Sequence, residues 1–280
     1  MNVRRRIMDR MWLGFALVAV VLALLPLASI IYYVTVRGIA AISLSFLTHN
    51  FNQVGTNGGI ANALEGTFLV VLLSSAIGIP IGLLSGVYIS EYGTQRIADS
   101  VRFLADVLVG IPSIVTGILV YSAVVVSFPA PYNGYTAFAA GVALGLMEIP
   151  IVANTTSEAL RLVPNSLREA STALGVRKWR TIILIMANAI GGILTGILLA
   201  TSRVAGETAP LLLTALGSTQ TFQGWFNSIE TMTLFIFQNG TSGTPYLVQQ
   251  AWGASFILLV TVLGINVAIR LVTRKRIVFV

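Results

Sequence analysis

The sequence predicts an all-α membrane protein with six transmembrane helices, and three observations carry that prediction. Hydrophobic residues make up 56% of the chain and charged residues only 10%, against about 25% charged in a soluble domain. Apolar stretches at about 12–34, 67–90, 101–127, 135–157, 181–203 and 252–272 reach the roughly 20 residues a helix needs to cross a bilayer. The 17 Lys and Arg residues fall almost entirely within 4–10, 96–102, 161–180 and 270–276, leaving only Arg37 and Arg203 elsewhere. Cations gather in the cytoplasmic loops of membrane proteins, so both termini are expected on the cytoplasmic side. The net charge of +7 therefore reports orientation and not nucleic-acid binding.

The first span follows Arg4-Arg5-Arg6, is too long for a signal-peptide core and lacks a small-x-small cleavage site. It reads as a retained anchor, so residues 1–35 form an N-terminal tail and first membrane helix. The outward loop at 36–66 is rich in Asn50, Asn52, Gly55, Asn57, Gly58 and Gly59 and holds the only histidine, His49. One histidine without a partner is no metal site. The transmembrane domain proper spans 67–272 and a cytoplasmic tail occupies 273–280. Pro80, Pro112 and Pro150 lie inside three of its spans, where each removes a helix hydrogen bond and invites a kink. Glycines recur at four-residue spacing (Gly78, Gly82, Gly86; Gly141, Gly145; Gly192, Gly196), which lets helix backbones approach closely in lipid. Most of these contacts are expected within the chain, with the remainder available to a second membrane subunit. The outward segment at 205–250 mixes apolar pieces with polar turns, a pattern that suits a partly re-entrant stretch lining protein or a cavity.

Two segments carry chemistry. Arg203 closes the long apolar run of the fifth span, and Glu207 follows four residues later. A cation at that depth is expensive in lipid, so it is expected to face protein or a water-filled path and to mark function. A guanidinium, with its fixed fork of donors and permanent charge, suits an oxyanion. Glu207 is placed to hold it, and Ser202, Thr201 and Thr208 offer hydroxyl donors nearby. Glu148 is a second carboxylate at membrane depth, facing either the same path or a neighbouring helix. The inward stretch 161–180 predicts a short helix capped at Asn165 or Ser166, with Glu169 at capping-box distance from Ser166, ending at Gly175 as a natural C′ residue. Ala170, Ser171 and Ala173 give it a flat face that another protein could approach.

Glu169-Ala170-Ser171 followed by Leu174-Gly175 resembles the EAA loop of ABC importer permeases. The run Arg203-Val-Ala-Gly206-Glu207-Thr208-Ala209-Pro210, with Arg161-Leu-Val-Pro164 and the region Gly59 to Thr67, is similar to phosphate-importer permeases of the PstA type. The resemblance covers roughly residues 59 to 270. Three departures stand out: no proline follows Ile185-Met186 where the EAA pattern has one, Asn154 stands where those permeases carry arginine, and Glu148 replaces an apolar residue.

The resemblance implies a type I ABC importer permease fold with a cytoplasmic coupling helix formed around Glu169, Ala170, Ser171, Leu174 and Gly175. It implies a substrate path through Arg203, Glu207, Thr208, Ser202 and Glu148, carrying inorganic phosphate or a related oxyanion. The implied partners are a second homologous permease, a dimeric ABC ATPase and an extracytoplasmic phosphate-binding protein, in a bacterial or archaeal cytoplasmic membrane with its lipid. No Gly-x-x-x-x-Gly-Lys-Ser/Thr loop and no metal-ligand cluster occurs in the sequence, so no cofactor is expected in this chain; ATP and Mg belong to the partner ATPase. A secondary anion transporter or channel would also use an intramembrane arginine but has no use for the coupling loop. A membrane enzyme would need a nucleophile paired with a base, and none is evident.

Overall fold

The computed structural model describes residues 3–52, 58–93, 95–127 and 134–276. Gly55 and Asn57 of the first outward loop, and the end of the tail at 277–280, lie outside the described residues. The described chain is helical: α1 (Val3–Ile39), α2 (Leu44–Thr48), α3 (Ala61–Val87), α4 (Gln95–Gly110), α5 (Ser113–Val120), α6 (Ala137–Arg161), α7 (Asn165–Ala173), α8 (Lys178–Ala205), α9 (Ala209–Thr214), α10 (Met232–Gly240) and α11 (Pro245–Arg276). Five helices are long and apolar enough to cross a membrane, and the bent pair α4–α5 makes a sixth span when taken together.

That bent pair is far sharper than the proline kink expected within the third span at 101–127. α4 and α5 meet at 102°, because Pro112 takes an extended backbone (φ −55°, ψ 134°) and a proline also bars the α conformation to the residue before it. α4 is moreover polar along one side. Asp106 accepts from Asn154 Nδ2 at 2.8 Å and Arg102 donates to Ser157 at 3.3 Å, so its charges are turned onto α6.

The centre of the bundle is the pair α3–α6, and the glycine spacing explains its closeness. A Cβ at Gly78 would lie 2.7 Å from the Cβ of Glu148, one at Gly82 2.7 Å from that of Val152, and one at Gly86 2.6 Å from that of Thr156. The stripe thus serves packing within the chain. Val70, Leu144, Val204, Leu211, Ile229 and Leu234 form a core joining α3, α6, α8, α9 and α10. A second core of Leu160, Ile185 and Ile193 ties α6 to α8. α1 stands outside; its span buries none of its side chains, and it meets α11 at its end, where the Arg37 guanidinium lies 5.6 Å from the Trp252 ring centre. In a bilayer those exposed aliphatic side chains face lipid.

The segment 205–250 folds back into protein as its mixed composition suggests. Thr231 caps α10 by accepting from Leu234 N, and Leu211, Met232, Leu234 and Phe235 are buried.

Candidate substrate path and coupling loop

Arg203 sits in the last turn of α8, where a cation complements the helix dipole. Its Nε lies 3.9 Å from Glu207 Oε1, and its side chain is 48% exposed against 19% for Glu207. At that separation the two charges attract without a hydrogen bond, so the fork of donors stays open on its outer side. The chain breaks between them at Gly206, which ends α8. The Glu207 carbonyl accepts from Thr233 Oγ1 at 2.9 Å, fixing the break against α10. Thr208 follows at the start of α9 without capping it. Ser202 donates to Asn266 Oδ1 at 3.1 Å, so its hydroxyl ties α8 to α11.

Glu148 is fully buried. Its carboxylate accepts from Thr201 Oγ1 at 2.8 Å, Ser75 Oγ at 3.2 Å and Ser74 Oγ at 3.3 Å. No cation is paired with it among the described residues; hydroxyls from α3 and α8 take that place. A carboxylate out of water must be hydrogen-bonded, and this one sits where three spans meet. Ser75 and Thr201 also line a groove of about 440 Å³ whose other walls are largely apolar, from α3, α8 and α11. Thr201 thus touches both Glu148 and the groove, two residues before Arg203.

The inward loop forms the expected short helix but starts differently. Pro164 occupies the N-cap position with no side-chain cap, so neither Asn165 nor Ser166 caps α7. Asn165 Oδ1 accepts from Arg168 NH1 instead. The helix ends as the sequence indicates: Gly175 takes φ +70°, a conformation that glycine adopts without strain. Glu169, Ala170, Leu174 and Gly175 point outward, whereas Ser171 is buried and shares a 2.7 Å hydrogen bond with Thr181 of α8. Leu162 and Leu174 are more than four-fifths exposed, which leaves an apolar knob with no cover among the described residues.

Sequence reasoning missed Arg168, Glu91, Asn266 and Glu230. Glu230 is nearly fully buried beneath the outward segment, and its carboxyl accepts from Thr231 N. Burial pushes its pKa from 4.5 up to about 7. The folded state therefore holds this proton more tightly than the unfolded chain does. The resulting stability is fully present below pH 4.5 and is lost as pH rises through 7. One pH unit of displacement is worth about 1.4 kcal/mol, so the loss by pH 8 is on the order of 3 kcal/mol. Glu230→Gln is expected to flatten the pH dependence of the thermal unfolding midpoint between pH 5 and 8; equal slopes for both proteins would refute the assignment.

A helical bundle with a short exposed helix at one end, and a half-exposed arginine in the last turn of α8, is the frame of a membrane permease. The chain belongs to the family of binding-protein-dependent transport system inner membrane components, matched over residues 78–277. Within that family its similarity is to phosphate permeases. It is 38% identical to the phosphate transport system permease protein PstA of Haemophilus influenzae, over 95% of this chain and 94% of that one. It is 37% identical to PstA 1 of Mycobacterium tuberculosis, over 99% of this chain and 92% of that one. Solved structures share the fold at low identity. The bacterial alginate ABC transporter, in complex with an alginate-bound periplasmic protein, aligns with a TM-score of 0.66 at 16% identity, covering 96% of this chain and 97% of that one. The inward-facing MetNI methionine ABC transporter aligns at 0.59 and 21%, covering 78% of this chain and 94% of that one.

Proposed function

We propose that this chain is the membrane permease subunit of an ATP-driven importer of inorganic phosphate, forming half of the translocation path with a second permease. The observation that carries this reading is the run of α8. One helix of 28 residues begins at the docking loop and carries Arg203 in its last turn, a reach of about 40 Å at 1.5 Å per residue. A push on the loop is delivered, along a rigid rod, to the arginine. Glu207 holds the guanidinium at 3.9 Å and leaves its outer face to the anion, while Thr208 and Ser202 stand beside it. Glu148 acts from behind by fixing Thr201. The exposed face of α7, with Glu169, Ala170 and Leu174, docks on a dimeric ATPase that binds ATP and Mg. The distribution of Lys and Arg supports a cytoplasmic position for both termini and this loop, with the segments at 36–66 and 205–250 outside, where a phosphate-binding protein delivers the substrate.

The test is uptake of radiolabelled phosphate by the full complex in liposomes, with ATP on the side of the ATPase. Uptake is expected to require ATP and to resist competition by sulfate; accumulation without the ATPase would overturn the reading. Glu169→Lys reverses the charge on the exposed docking face. It is expected to lower ATP-driven uptake by about tenfold or more, because a like charge brought against a complementary surface costs several kcal/mol. Co-purification with the ATPase checks whether contact itself is lost.

A further inference from the structure

One guanidinium joins the docking helix to two spans. Arg168 projects inward from α7 toward a π-helical turn at Tyr88–Tyr92 that ends α3. Its NH2 donates to Glu91 Oε1 at 2.6 Å and its Nε to Oε2 at 3.2 Å, a two-point pairing of fork and carboxylate. The remaining donors go to the Leu160 carbonyl at 2.9 Å, the Val163 carbonyl at 2.8 Å and Asn165 Oδ1 at 3.2 Å. The first is a carbonyl in the last turn of α6, which also accepts from Val163 N at 3.3 Å, and the second lies just after that helix. All five donors of Arg168 are therefore engaged, and the Glu91 side chain is only 7% exposed.

Apart from the Ser171–Thr181 hydrogen bond to α8, the other contacts around α7 are of a different kind. Leu167 packs with Leu83 and Val87 against the core of Leu160 and Ile185, and apolar contacts are non-directional, so surfaces can slide. A two-point ion pair cannot slide without breaking. It also ends on a turn whose ladder has shifted, since Gly93 N bonds the Tyr88 carbonyl at 2.7 Å, and such π turns recur at functional positions. Lys178, at the start of α8, holds the same turn through the Tyr92 ring at 4.6 Å. From that turn α3 runs back along α6 to Ser74 and Ser75, two of the three hydroxyls on Glu148.

We propose that the Arg168–Glu91 pair is the positioning link through which the docking helix carries α3, so that ATP hydrolysis moves this span together with α8. The proposal rests on the reading that α7 docks on the ATPase. Without the pair, α7 still binds the ATPase through its outer face, but its motion is no longer passed to α3. Hydrolysis then runs without transport.

The experiment uses the complete complex in liposomes and measures phosphate transported per ATP hydrolysed. Glu91→Gln keeps shape and removes charge; Arg168→Gln removes the fork. Each is expected to leave binding-protein-stimulated hydrolysis within about twofold while lowering phosphate per ATP about tenfold, the range of ordinary coupling free energies. The double variant is expected to be no worse than either single one, because both remove the same link. Cysteines placed at both positions, in a chain that has none, and bridged by a bifunctional methanethiosulfonate reagent are expected to restore coupling until the bridge is reduced. An unchanged ratio, multiplying effects, or a bridge that restores nothing would overturn the link. Glu169→Lys on the same preparation separates the two ideas: if it leaves ATPase binding and hydrolysis untouched, the docking reading fails, whatever the pair does.

Discussion

Replacing Arg203 with glutamine is expected to abolish phosphate uptake by the reconstituted complex while leaving its assembly intact. Hydrogen bonds to a charged group contribute about 1.5–3 kcal/mol each, so an oxyanion held by both arms of a guanidinium loses about 100-fold or more when the charge and fork go. Glutamine keeps much of the length and polarity, so the loss isolates charge from bulk. Folding is insensitive to the change for a specific reason. The side chain is about half exposed, and its contact with Glu207 is a 3.9 Å ion pair of the kind that contributes about 0–1 kcal/mol. Arg203→Lys retains the charge and loses the paired geometry, so it keeps uptake at an intermediate level. Phosphate uptake and co-purification of the partner subunits, measured on one preparation, check the pair of expectations. Normal uptake by Arg203→Gln would move the path elsewhere.

Much of this site was legible in the sequence because it is local. Arg203 and Glu207 are four residues apart, the docking helix lies in one stretch of 20 residues, and Gly175 needs only its own backbone angle to end that helix. The spans were legible because lipid demands continuous apolar helix. What escaped was either non-local or decided by competition. Glu91 and Arg168 are 77 positions apart, and Ser74 and Glu148 are 74 apart; no spacing rule joins them. Glu230 lies in a mixed stretch where nothing local marks which residues are covered, yet the outward segment folds over it. Pro112 was visible as a kink, but a kink and a 102° bend share one local signal. The difference lies in where α4 can place Asp106 and Arg102, which depends on Asn154 and Ser157 of another helix. The Asn165 cap failed for the same reason: a local prediction lost to Arg168, whose geometry is set by Glu91.

Glu148→Ala is expected to destabilise the complex on the order of 3 kcal/mol, because removing one side of a buried charged network leaves the other side unsatisfied in a space it cannot fill. Three hydroxyls lose their acceptor at once. Ser74 retains a bond to the Val71 carbonyl at 2.9 Å, and Ser75 lies 3.5 Å from Thr201 Oγ1, so two of the three have a second partner and the loss is not larger. Glu148→Gln is the decisive companion. Glutamine keeps the volume and one acceptor oxygen, and the hydroxyls can turn to accept from its amide, so it is expected to lie within about 1 kcal/mol of the native protein, the size of one ordinary hydrogen bond. If Glu148 only braces Thr201 and α3, Glu148→Gln transports phosphate at close to the native rate while Glu148→Ala unfolds at lower temperature. If the carboxylate itself meets the anion, Glu148→Gln changes uptake with no change in stability. The burial of Glu148 and its three hydroxyl donors favour the first outcome, and thermal midpoints and uptake rates for the two variants decide between them.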